Sequence, residues 1–361
     1  MSELGMTQTV PFRRSRTATA SPAPLLPLSV SGLRLETGGA VLLDGVELSL
    51  ARPQPNPVPE ESPIRDMPVA TSDELVRRYG LLEDRLVAAG RLREDTGGLD
   101  GIDADRLATN FIRIALHDEY TPVEGGAFVA RESASRLRRW AAPVEVSVNF
   151  GASVAPAQQG ADRAEAAEVV RIIREASGHP VRMAEKGGNF SVFVVSEDER
   201  LHLRPELRRI VPGITDPVLE SMLDILPSTF CLVVAFSAPE APQTYLRAVA
   251  IIRAEHPPRL RRGCFHEELA QGMGLANDSR EASPSIFNDD EEFTRLTDQD
   301  RLMLKMLYDR RLHPGMDVAE ATAPVHEIAR ELLPPPMAAA PQAPETAPVE
   351  VAAAPAPVPQ E

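Results

Sequence analysis

The stretch "FHEELAQGMGLANDS", residues 265–279, has helical spacing and one apolar face, on which Phe265, Leu269 and Met273 recur every fourth residue and anchor it in a core. The other face carries His266, Glu267, Glu268 and Gln271. Two histidines four apart stand one above the other on a helix and can hold zinc, with a glutamate after the first as general base. Counted from His266, the second position is Ala270, whose methyl ligates nothing. Counted from Glu267, the HExxHxxGxxH spacing is met throughout. Glu267, Gln271 and Asn277 (or its neighbour Asp278) take the ligand positions, Glu268 keeps the base, and Gly274 takes the sharp turn that ends the helix. An oxygen-only set disfavours zinc and suits Ca²⁺, Mg²⁺ or Mn²⁺. His266 reaches such a set only if the helix is distorted by about 100° per residue. Two metal-free readings stand beside these: Glu267 and Glu268 as an acid–base pair, or a hydrogen-bonded network that replaces a metal.

Motifs on either side keep the same register. "SIFND" (285–289) has the form of a tight turn beneath a metal helix, with Phe287 where Ser-Ile-Met would place methionine, and with Ser285, Ile286 and Asn288 as structural residues. "FTRLTDQDRLMLKMLYD" (293–309) reads as a closing helix. Upstream, "PVEVSVNFG" (143–151) alternates like a half-buried strand, and 164–181 reads as an amphipathic helix stopped by Gly178 and Pro180. Together these resemble a metzincin-like zincin with altered ligands. More closely, they resemble the bacterial domain of unknown function twenty-nine twenty-seven, with its HEExxQxxGxxND…SIFND…LTxxD…LYDxRLxPGM signature. The resemblance covers 105–317. It implies an α/β (α+β) fold, with a mixed twisted sheet, a backing helix, an active-site helix and a small C-terminal helical subdomain. It implies a peptidase scaffold, either inactive and binding a peptide or protein partner, or hydrolytic through an oxygen-rich metal site or the Glu-Glu pair. An added peptide would pair with an edge strand, for which "YLRAVAIIRAE" (245–255) is the expectation.

The rest of the chain bounds these readings. It has 361 residues, 34 prolines, 4% aromatics and a net charge of −15. That charge argues against nucleic-acid binding, which needs a basic surface. No apolar run approaches the roughly 20 residues of a membrane span. Residues 1–66 read as a Pro-rich, poorly ordered leader, 70–317 as one domain, and 331–361 as a Pro/Ala-rich disordered tail. "FRRSR" before "APLLPLSV" has the order of a signal peptide, but Pro24 and Pro27 break it. Cys231 and Cys264 either form one disulfide, which would staple the helix to the sheet and place the chain in an oxidising compartment such as the cell envelope or periplasm, or remain two buried thiols. His117, His179 and His256 read as exposed, and Trp140 as a core plug before the first strand.

Overall fold

A computed structural model describes residues 71–122, 128–288 and 290–334, with four backbone strands ahead of them. Those strands are β1 (Gln8–Thr9), β2 (Phe12–Arg14), β3 (Ser29–Thr37) and β4 (Ala40–Ser49). The leader and tail expected at the two ends otherwise fall outside the described residues. Next come α1 (Ser72–Ala88), α2 (Ala104–Ala115), the hairpin β5 (His117–Pro122) and β6 (Phe128–Ala134), β7 (Arg139–Trp140), β8 (Val144–Phe150) and α3 (Pro156–Ser177). They are followed by β9 (Val181–Met183), β10 (Phe190–Val195), α4 (Glu197–Arg200), α5 (Arg204–Ile210) and α6 (Asp216–Leu223). The chain then forms β11 (Thr229–Ala238), β12 (Ala241–Arg253), α7 (Pro258–Gln271), α8 (Asp298–Leu307) and α9 (Val318–Leu332).

The architecture is mixed α/β. Strands β9, β8, β10 and β12 run parallel in that spatial order, and β11 joins β12 antiparallel. Strands β10 and β11 are mostly apolar and buried along their whole length because both their faces are covered. Phe190, Val192 and Val194 enter the main core with α2, α3, α7 and α8, while Phe193 and Val195 enter a second core under α5 and α6. Strand β8 follows its alternation at Val144, Val146 and Val148, which are buried, and at Glu145 and Asn149, which are half-buried, but Ser147 departs from it by being buried and Phe150 by being only half-buried.

Several expectations need correction. Strand β12 is not an edge, since β11 lies on one side and β10 and β7 on the other. The sheet ends at β9, three residues long, on one side and at the short β1 and β2, which pair β11, on the other. His179 is buried because its Nε2 meets the Ala142 carbonyl at 2.9 Å and its ring lies against Tyr308. His256 is buried edge-on to Tyr79, with centroids 4.6 Å apart. In α1, Leu75 and Tyr79 are buried while their neighbour Val76 is 52% exposed. The closing helix stops at Leu307, and α9 follows, with Ala321, Val325, Ile328 and Ala329 buried and its main contacts on α2. No described helix is long and apolar enough to cross a membrane.

Candidate functional site

Helix α7 is polar and yet buried on every side: His266, Glu267, Glu268 and Gln271 are all 3% exposed or less. A helix so enclosed must have its end groups satisfied by neighbours. At its start Pro258 is pre-set for the first turn. There the Glu83 carboxylate of α1 accepts from the amides of Arg259 (2.9 Å) and Leu260 (3.0 Å), matching a negative charge to the helix N-terminus. At its end the Trp140 indole donates to the Gly272 carbonyl (2.8 Å) and the Tyr308 hydroxyl to that of Met273 (3.0 Å). Trp140 is thus the core plug expected of it, stacked on Phe190. The chain then turns at Gly274, whose φ is +125°.

His266 has both ring nitrogens engaged. Nδ1 accepts from the Leu296 amide (3.2 Å), which leaves Nε2 to donate to Glu165 of α3 (3.0 Å). Arg262 also pairs with Glu165, at 3.2 Å. Burial lowers the pKa of His266, against the pull of Glu165. Burial would raise that of Glu165, but hydrogen bonds from His266 and Arg262 outweigh it and hold the carboxyl at about 2. Both shifts leave the unfolded chain binding more protons than the folded one, so acid destabilises the fold. The stability held by neutral His266 is full above its ordinary 6.5 and is lost below it. That held by Glu165 is full above 4.5 and is lost as pH falls toward about 2. Urea unfolding from about pH 8 to about pH 3 should show stability falling in both ranges, and Glu165→Gln should remove the lower one.

The other expected ligands are not brought to one point. The Gln271 amide donates to Asp278 (3.0 Å) and closes the turn behind the helix. Asn277 faces α2, with its side-chain amide on the Arg113 carbonyl (2.8 Å) and its backbone amide on that of Ile114 (3.0 Å). The carboxylates of Glu267 and Glu268 do lie together, within 4.8 Å of each other and of the Cys231 sulfur. That sulfur is bonded to Cys264, so β11 is stapled to α7 and Cys231 offers no thiolate. Asp289 lies outside the described residues.

The "SIFND" turn is fixed from α8. Asp300 accepts from the Ser285 hydroxyl (2.5 Å) and the amides of Ile286 (2.9 Å) and Thr297 (2.8 Å), inside a capping box with Thr297. Burial pushes the Asp300 pKa up, against these hydrogen bonds. Ile286 and Phe287 enter the main core. The Asn288 amide closes the turn on the Ser285 carbonyl (3.3 Å).

These donors do not fit a metal. Zinc prefers imidazole or thiolate, and here both His266 nitrogens and both cysteine sulfurs are engaged. A hard cation takes about 6–8 oxygens, including waters. The site offers two adjacent carboxylates and the unpartnered Asn277 Oδ1, in surroundings where water has almost no access.

Sequence reasoning missed Glu165, Arg113 and the capping role of Glu83, because nothing in their local spacing marks them. It also missed Asp300, which the Thr297-x-x-Asp300 pattern would have revealed.

A family model described as protein of unknown function (DUF2927) matches residues 104–327, more than half of the 361-residue chain. The chain belongs to the DUF2927 family. The match spans α2 to α9 and so includes all of α7, the "SIFND" turn and α8. Comparison with curated proteins finds no match, and neither does comparison with solved structures.

Proposed function

We propose that this DUF2927 chain is a non-catalytic domain on a metzincin-like (zincin) scaffold, and that it works by binding a peptide or protein partner. Helix α7 stands where a metal-site helix would and instead braces the interior. The observation that carries this reading is His266, fully buried with one nitrogen on Glu165 and the other on the Leu296 amide. A histidine so held cannot also ligate. The Cys231–Cys264 disulfide supports an oxidising compartment.

One observation favours a second reading, a metal-free hydrolase. The Glu267 and Glu268 carboxylates lie within 4.8 Å of one another, a separation at which an acid and a base can share one substrate. A peptide-library assay of wild type beside Glu268→Gln separates the two. The binding reading expects no turnover that depends on Glu268. Cleavage by wild type that disappears in a Glu268→Gln protein of unchanged Tm would favour the hydrolase.

A further inference from the structure

On the sheet face opposite α7, a polar cavity of about 230 Å³ opens between β8, β10, β12 and α5. That is far more than the roughly 10–15 Å³ one water needs by this measure. This face is otherwise apolar: Phe193, Val195, Val249 and Ile251 pack under α5 and α6. The pattern breaks at Ser147 and Ser191, which are direct partners across β8 and β10 and both line the cavity. Ser147 is 1% exposed, and its hydroxyl has no hydrogen-bond partner. A buried hydroxyl left unmatched on a cavity wall calls for a ligand atom.

The charges at the rim point to an anion. Arg209 is held fork-to-fork by Glu206, at 2.8 and 2.5 Å, and keeps unused N–H groups. The Arg247 guanidinium makes no hydrogen bond or ion pair among the described residues. Two guanidiniums against one carboxylate leave a single net positive charge. Gly188, at φ +94°, closes one wall, and a Cβ there would stand 2.3 Å from the Glu145 carbonyl. A side chain would therefore push the loop off β8 and open the wall.

We propose that this cavity binds the carboxylate of a small ligand, with Arg247 pairing to it and the Ser147 and Ser191 hydroxyls donating. One carboxylate matches the single net charge, whereas a phosphate dianion beside Glu206 would exceed it. The planar guanidinium suits a carboxylate in two-point contact. The chain's net charge of −15 opposes an anion at long range, so binding rests on these short contacts. The site is remote from α7 and stands whether or not the reading of that helix holds.

The carboxylate can come from a free acid or from a peptide C-terminus. Isothermal titration of the full chain with lactate, acetyl-dialanine, acetyl-dialanine amide and inorganic phosphate tells them apart. At least one acid should bind, and the amide about tenfold more weakly or not at all. Binding of lactate and acetyl-dialanine alike assigns free acids, and binding of acetyl-dialanine alone assigns a peptide C-terminus. Both results support the proposal. Arg247→Ala, at an exposed position, should weaken binding about tenfold with Tm unchanged. Ser147→Ala should weaken it without loss of Tm, since no protein partner is left behind. The proposal fails if neither acid binds, if the amide or phosphate binds as well as the acids, or if Arg247→Ala changes nothing.

Discussion

The double variant Cys231→Ala, Cys264→Ala is expected to unfold in urea with about 3–4 kcal/mol less stability than the oxidised protein. The bond closes a loop with a sequence separation of 33, and removing it frees that loop in the unfolded chain. The loop holds all of β12 and the first half of α7, so the elements that position the polar helix lose their covalent tie. Both cysteines are almost fully buried, at 0% and 1% exposure. A reductant should therefore act on the folded protein only slowly, through transient opening, and fully reduced wild type should match the double variant. Equal stability of oxidised wild type and double variant would mean that the bond constrains nothing.

Gly274→Ala should cost about 3 kcal/mol or more, measured by the shift of the urea midpoint. Two causes add. The backbone there is at φ +125°, which L side chains rarely adopt, and a Cβ would lie 2.2 Å from the Arg138 carbonyl oxygen. That oxygen belongs to backbone just ahead of β7 and cannot swing aside as a side-chain tip would. Gly160→Ala is the control. It lies within α3 with open space around a Cβ, so it should be neutral or stabilising by up to about 1 kcal/mol. If the two variants behave alike, the close approach behind α7 is wrong.

The elements that could be read from sequence are those whose signal is local. Thr71 and Thr297 cap their helices with side-chain oxygens, and the patterns Thr71-x-x-Glu74 and Thr297-x-x-Asp300 carry that signal locally. The apolar-rich segments of β10 and β11 report two-sided burial, while the alternation of β8 reports its Val144, Val146 and Val148 face but not the burial of Ser147 on the other. The Cys231–Cys264 bond stayed open at that level because sequence holds no distance between a strand and a helix. The mistaken edge strand has the same origin. Composition says that β12 is buried, whereas its neighbours β7 and β10 follow from topology.

The polar helix was legible in register but not in direction. Spacing puts Glu267, Gln271 and Asn277 in line, but the helix ends at Gln271 and the chain turns away at Gly274. The end of α2 then decides where Asn277 faces, by offering the Arg113 and Ile114 carbonyls. The residue that engages His266, Glu165, lies 101 positions away on a helix whose charged residues read as a solvated face. His179 and His256 were misjudged likewise, since their neighbours Tyr308 and Tyr79 are distant in sequence.

The central claim is that α7 is a metal-free brace. Elemental mass spectrometry of the full chain, purified without chelator or a metal-affinity column, tests it most directly. The account predicts no zinc, manganese or calcium near stoichiometry in a well-folded sample. A near-stoichiometric metal that is lost on Glu267→Ala, with the fold retained, would contradict it.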